Sequence, residues 1–297
     1  MQKTDRAGHS RTDSALETAR RILWTQYLLI QRHAGLASRR HSIKAVHDLR
    51  VAVRRFRTAL RVFDCLLQGT SASLIRRQLR TLNRRLGPVR DVQVWILFLR
   101  KAARRKNVPL PAGWDSGLRD QERALDRILA SSEGRDVQER CARLLRLELT
   151  PERIAQSQAG ASRPFLANKL CRAYEHILQI GDAPALATPE AAHTLRRRCR
   201  RARYLSEFAE AVLKGHIPKL TRRLKRVADA LGDWRDAGAH AARLKELVAP
   251  PPGLRHLVVN RQKRAHREFV AAWRQLTAPH FQKRVLADLQ AAIRRTR

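Results

Sequence analysis

In 297 residues the chain carries 62 Lys and Arg against 26 Asp and Glu, a formal net charge of +36. That is far beyond the magnitude of about 2–8 usual for a small soluble domain, and it excludes a chain with no strongly anionic partner. Many dispersed cations gain most from a polyanion that releases many counterions, and the excess of 51 Arg over 11 Lys suits bidentate recognition of phosphate oxygens.

Residues 1–13, MQKTDRAGHSRTD, are polar and predict a disordered tail. From Ser14 onward apolar residues recur at three- and four-residue spacing and no alternating run appears, so the chain is expected to be all-α. The pattern predicts helices at 14–34, 43–67, 71–86, 89–105, 116–130, 136–148, 163–180, 189–214, 217–231, 234–247, 254–276 and 280–294. Pro, Gly and small polar residues mark the loops KNVPLPAGWDS (106–116), TPERIAQSQAGASRP (150–164), GDAPALATP (181–189) and APPPG (249–253).

Two stretches repeat. HDLRVAVRRFR (47–57) and HTLRRRCRRAR (193–203) share His, Leu and four Arg positions at an offset of 146. LGPVRD (86–91) and LGDWRD (231–236) follow at an offset of 145. The repeat divides the chain into halves 14–149 and 163–297 joined by a linker at 150–162, and predicts two pseudo-twofold-related helical bundles. Within each LGxxRD segment, the glycine (Gly87 or Gly232) is expected to end one helix. The aspartate (Asp91 or Asp236) is expected in the first turn of the next, where a carboxylate suits the helix dipole.

At ~100° per residue, Leu49, Val53, Phe56, Leu60, Phe63 and Leu67 gather on one face of the first basic helix. His47, Arg50, Arg54, Arg57 and Arg61 form a row on the adjacent face. The second copy places Leu195, Cys199, Ala202, Ala209 and Leu213 inside, and His193, Arg196, Arg200 and Arg203 in the row. Cations stacked one turn apart repel, and the first copy has no acid at i+4 to relieve them. A ladder rising ~5.4 Å per turn can track a linear chain of phosphates, and two ladders facing each other would make a basic central channel. Either histidine could donate to phosphate, and a bound anion would raise its pKa.

Further cations sit off the apolar stripes. Lys44, Arg90, Arg197, Lys219, Arg222, Arg226 and Arg235 are candidates to extend the basic surface, as are Arg76, Arg77, Arg80, Arg84 and Arg223. Arg90 and Arg235 could equally pair with acidic neighbours.

The four cysteines (Cys65, Cys141, Cys171 and Cys199) are far apart and lack CxxC spacing. They are read as buried thiols in a reducing compartment rather than a disulfide frame or zinc site. No HxxxH or HExxH companion accompanies His47 or His193, so no metal site or cofactor is expected. The longest apolar stretches fall far short of the ~18–20 residues that span a bilayer, and a cytoplasmic protein without membrane contact is expected.

The doubled pattern of His, LR, an RRxR cluster and a later LGxxRD resembles the CHAD family, the conserved histidine α-helical domain, over residues 14–295. The resemblance implies two pseudo-symmetric helical bundles, a basic surface with a central pore, and binding of inorganic polyphosphate, often at polyphosphate granules. Carried over by position, the ligand set would be His47, Arg50, Arg54 and Arg57 with His193, Arg196, Arg200 and Arg203. Many relatives carry a triphosphate-tunnel (CYTH) domain with an ExExK motif; none occurs here, and no attached hydrolase is expected.

Two other functions compete. A nonspecific nucleic-acid binder suits the charge, but aromatics for stacking bases are not interleaved with the Arg rows, and only Tyr204 lies beside one. A histidine-dependent phosphotransfer enzyme lacks a Walker motif, paired carboxylates and a nucleophile–base pair, so the chain is expected not to be an enzyme. Oligomeric state is left open.

Overall fold

The computed structural model describes residues 13–40, 43–106, 116–180, 188–246 and 253–294. The expected N-terminal tail (1–12) and the loop stretches at 107–115, 181–187 and 247–252 lie outside the described residues. Among the described residues the regular structure is helical, apart from one isolated antiparallel bridge between Ser14 and Ala161. The chain divides into two compact units, Leu16–Ala159 and Gly160–Arg297, the latter taking in the residues up to Ala15.

The N-terminal unit holds α1 (Ala15–Arg40), α2 (Ile43–Val62), a 3-10 turn (Asp64–Leu66), α3 (Ala72–Lys106), α4 (Ser116–Ala130), α5 (Ser132–Arg143), a π-helical turn (Leu144–Glu148) and the short α6 (Pro151–Ala155). Helix α3 packs against α2, α4 and α5. Every member of the expected α2 stripe from Leu49 to Leu67 is buried, and burying each large apolar side chain contributes ~1.5–3 kcal/mol. That stripe fixes which face of α2 the arginines can occupy.

The C-terminal unit holds α7 (Ser162–Leu178), α8 (Pro189–Ala209), α9 (Ile217–Glu246), α10 (Leu254–Leu276) and α11 (Pro279–Arg294). Helix α9 packs on α8 and α10, and α7 on α8 and α11. Leu195, Cys199, Ala202, Ala209 and Leu213 are buried as the periodicity requires. Thr188 caps α8 by accepting from the Ala191 amide at 3.2 Å.

The two units enter their long third helices by the same device. Gly69 (φ 72°) and Gly215 (φ 77°), at an offset of 146, take the left-handed conformation that glycine adopts without a Cβ penalty. Just beyond, a carboxylate from a later segment receives the chain. Glu148 accepts from the Ser71 amide and hydroxyl, both at 2.7 Å. Asp288 accepts from the His216 amide at 2.7 Å and lies 2.8 Å from its ring Nδ1. A Cβ on Gly215 would fall 2.3 Å from the Asp288 carboxylate, so that position excludes any other residue on two counts.

Several sequence expectations need correction. The segments 71–86 and 89–105 form one helix, as do 217–231 and 234–247, so neither LGxxRD segment is a turn. Asp91 and Asp236 therefore lie in mid-helix. Helix α3 runs through Pro88. Proline removes one donor from the ladder, but helix on both sides is held by buried Leu79, Leu82, Leu86, Val89 and Ile96. The 150–162 linker contains α6, nucleated by Thr150 accepting from the Arg153 amide with Pro151 at the first position. Helix α5 begins at Ser132, four residues earlier than expected, behind a Ser131 cap. Cys65 is exposed, unlike the other three thiols, because it sits in the 3-10 turn between Phe63 and Leu67, off the face that those two bury.

The C-terminal unit also depends on one buried hydroxyl. Tyr174 on α7 is fully buried and donates at 2.8 Å to the Leu276 carbonyl at the end of α10. Burial pushes its phenol above the ordinary range. Tyr174→Phe leaves that carbonyl without its donor and should cost about 1–3 kcal/mol, read as a lower urea midpoint with unchanged helix content.

Candidate polyanion-binding ladders

On α2 the expected row exists, but its rungs differ in kind. His47 at the head is exposed. Desolvation, then the guanidinium groups of Arg90 and Arg54, hold its imidazole below the ordinary histidine value, with Asp48 opposing weakly. Arg50 is pinned: its Nη1 donates at 2.9 Å to the Asn83 carbonyl on α3. Arg54 and Arg57 are half-buried, and the Nε of each is shielded from solvent without a hydrogen-bond acceptor among the described residues. Burial, followed by Arg61, Arg80, Arg76 and Arg54, pushes the Arg57 guanidinium down to about 10. Arg61 is exposed at the C-terminal end of the row. Arg55, a repeated arginine outside the row, turns away to donate to Gln26 on α1 at 2.9 Å.

On α8, His193 is exposed at the head of the second row. Desolvation, with Arg197, Arg235, Arg196 and Arg200 around it, again lowers its pKa. Arg196 and Arg200 are half-buried. The last rung is not open: Arg203 Nε lies 2.9 Å from Glu207 Oε1, with side chains only 15% and 22% exposed, and its guanidinium covers the Tyr204 ring at 4.8 Å. Arg198, one of the extra arginines of this copy, donates to the His176 carbonyl on α7 at 3.0 Å.

The other candidates sort by what they touch. Arg90 donates to the Ile43 carbonyl at 3.3 Å and stands near His47, so it turns toward the head of the first row. Arg235 is exposed near His193 but pairs with Asp236 at 2.8 Å. Lys44, Arg197, Lys219 and Arg222 are exposed. Arg226 donates to the Gln275 side chain at 3.2 Å. Arg223 packs over the Phe281 ring at 3.7 Å and donates to the Gln275 carbonyl, which makes it a structural cation. In the N-terminal unit Arg76 pairs with Asp64 at 2.9 Å and Arg85 with Glu133, while Arg77, Arg80 and Arg84 are exposed.

Sequence reasoning missed the part played by the two LGxxRD glycines. A Cβ on Gly87 would stand 3.6 Å from Arg50 Nη1. One on Gly232 would stand 3.0 Å from Arg196 Nη2 and 3.1 Å from its Nε. Each glycine is a notch in the long third helix that receives the first arginine of the row. The pairing was hidden because glycine within a periodic pattern most often signals a helix end. Also missed was His240 on α9, which is buried; desolvation, helped by Arg261, brings it down to about 4, so it is neutral at pH 7. Among the described residues no three of His, Cys, Asp and Glu gather as a metal site, and no helix is long and apolar enough to cross a membrane.

An all-helical protein presenting rows of guanidinium groups on the second helix of each unit is the class that fold and site define. A family model for the CHAD domain matches residues 21–245, and the chain belongs to that family. Among solved structures, the CHAD domain from the plant Ricinus communis is similar at a TM-score of 0.67 and 20% identity, covering 97% of this chain and 95% of that one. PptA from Streptomyces chartreusis is similar at a TM-score of 0.58 and 20% identity, covering 91% and 100%. At that identity the likeness establishes the fold. A comparison with curated proteins finds no match.

The glycine notches make a paired prediction. Alanine inside a helix is favoured over glycine by about 1 kcal/mol, and at Gly87 it meets only ordinary van der Waals contact. Gly87→Ala should therefore raise stability by up to that amount. Gly232→Ala should gain less or lose, since Arg196 must give way by a few tenths of an ångström. Chemical denaturation of both variants checks the difference; a helix-ending glycine at position 87 would instead make the first substitution destabilising.

Proposed function

We propose that the chain is a non-enzymatic binder of inorganic polyphosphate that uses Arg54, Arg57 and Arg61 on α2, with Arg200 and Arg203 on α8, to hold successive phosphates. The observation that carries this reading is the state of Arg54 and Arg57. Each is half-buried with its Nε out of water and no acceptor nearby, and Arg57 stands among four other guanidinium groups. Buried donors are costly to leave unmade, and clustered like charges repel. A multiply charged anion relieves both at once. The family's association with polyphosphate, which the doubled motif implies, supports the same ligand. The histidines serve at the heads of the rows as conditional donors. Arg50 and Arg196 act chiefly as positioning residues, because both are seated against glycine and Arg50 also bonds the helix backbone.

Duplex DNA is the competing ligand. Arg203 lies against the Tyr204 ring, and that ring is buried beneath it rather than offered to a base. This favours a ligand made of phosphate alone. Cytoplasmic residence at polyphosphate granules is the setting this ligand implies.

Isothermal titration at ~0.15 M salt with long-chain polyphosphate, against duplex DNA at equal phosphate concentration, tests the reading. Polyphosphate should bind more tightly, with affinity rising with chain length and falling steeply with salt. Arg54→Ala with Arg57→Ala should weaken binding at least tenfold at unchanged helix content. Equal or tighter binding of DNA would overturn it in favour of a general polyanion surface.

The histidines set a pH dependence. In the free protein His47 and His193 titrate below the ordinary value of about 6.5, so both are neutral at pH 7. Bound phosphate favours the imidazolium and raises the pKa. Binding should therefore take up protons and tighten as pH falls through the bound-state pKa. His47→Ala should lose more affinity at pH 5.5 than at pH 8; an equal loss at both would mark His47 as structural.

A further inference from the structure

We infer that the two ladders are unequal and that Glu207 makes them so: its carboxylate holds Arg203 as an internal competitor, leaving the Arg54–Arg57–Arg61 end of α2 as the primary anion site. The inference rests on the polyanion-binding reading above and names its stronger half and the residue that weakens the other.

Extending the sequence offset of 146 past the matching arginines supplies the first support. Arg57 falls on Arg203, and the next rung, Arg61, falls on Glu207. The row that ends in a cation on α2 ends in a carboxylate on α8. The third helices, aligned at the offset of 145 that relates the glycines, differ in the same sense. Arg76, Arg80 and Arg84 fall on Thr221, Lys225 and Asp229. Positions 54, 57, 61, 76, 80 and 84 hold six arginines, whereas their counterparts hold three cations, two carboxylates and a threonine. An acid flanks the row in each copy, Asp64 and Glu210, so it does not offset the difference.

The side chains complete this pattern. Glu207 reaches Arg203 Nε at 2.9 Å in a setting only 15% and 22% exposed, where solvent screens the pair poorly. Lys225 is taken by Asp229. The Thr221 hydroxyl is buried and committed to Ser206 at 2.6 Å. Around Arg57, by contrast, stand the guanidinium groups of Arg61, Arg80, Arg76 and Arg54, and Arg76 pairs with Asp64 in an exposed contact of the kind that contributes little. The Nε of Arg57 and that of Arg203 are both shielded from solvent without a well-formed hydrogen bond, but Arg203 Nε has a carboxylate oxygen at 2.9 Å. A phosphate arriving at Arg57 meets a cluster of guanidinium groups, whereas one arriving at Arg203 must compete with the Glu207 carboxylate.

Titration of the full chain with polyphosphate and, separately, duplex DNA decides the matter with Arg57→Ala, Arg203→Ala, Glu207→Gln and the pair Glu207→Gln with Arg203→Ala. Glu207→Gln keeps the side-chain volume and removes the charge. Arg57→Ala should cost about tenfold or more and Arg203→Ala about threefold or less. Glu207→Gln should tighten binding about threefold or more, and in that background Arg203→Ala should cost as much as Arg57→Ala does in the parent. Arg61→Glu, at an exposed position, should copy the weakness of the second row into the first, and circular dichroism confirms that each variant retains its helices. Equal losses for Arg57→Ala and Arg203→Ala, with no gain from Glu207→Gln, overturn the inference. A preference for DNA over polyphosphate sinks the ligand reading alone, since the same ratios measured on DNA still decide the asymmetry. Failure to bind either polyanion overturns both.

Discussion

Like charges on successive turns of one helix repel, and the rows on α2 and α8 persist because other forces fix the helices that carry them. On α2 the buried stripe from Leu49 to Leu67 leaves the arginine face no freedom to rotate away. At several kcal/mol for the stripe as a whole, burial outweighs the repulsion among half-exposed guanidinium groups, which water and salt screen. The arginines of α2 are thus held on one face despite their mutual repulsion.

Seating the first arginine in a glycine notch extends this logic. Arg50 against Gly87 and Arg196 against Gly232 bring the second and third helices of each unit close at one point near the head of the row. The closer approach on Gly232 leaves less slack than that on Gly87. In the N-terminal unit the same region carries Pro88, which deprives the helix ladder of a donor, and Arg50 donates to the nearby Asn83 carbonyl. An arginine that counts in the sequence as one more ligand is in the fold a rivet between helices.

The apolar stripes and the arginine rows were legible because both follow from helical periodicity alone: every residue assigned to either stripe is buried. The continuity of α3 and α9 was not, because glycine is punctuation in a sequence and only a third dimension shows the side chain that needs its missing Cβ. The exposure of Cys65 was legible but overlooked: at ~100° per residue it falls at the same angle as His47, off the stripe that ends with the buried Phe63 and Leu67. Glu207 is a different kind of omission. It lies four residues after Arg203, a spacing at which helical side chains meet, but reading the copies for what they share passes over the position where they differ.

That difference bears on how a long, uniform ligand would engage a molecule with two related rows. A linear polyanion has identical units, so it cannot itself distinguish one row from the other; any preference has to reside in the protein. Two equally strong rows would each capture separate chains and compete for the ends of the same one. On the inferred asymmetry, binding would start at the α2 row, because the Glu207 carboxylate stands 2.9 Å from Arg203 and competes for it. On the same inference a ligand at Arg203 would displace the Glu207 carboxylate, which would reclaim Arg203 when the ligand leaves. The residue inferred to lower affinity at one row would by the same competition keep that contact reversible.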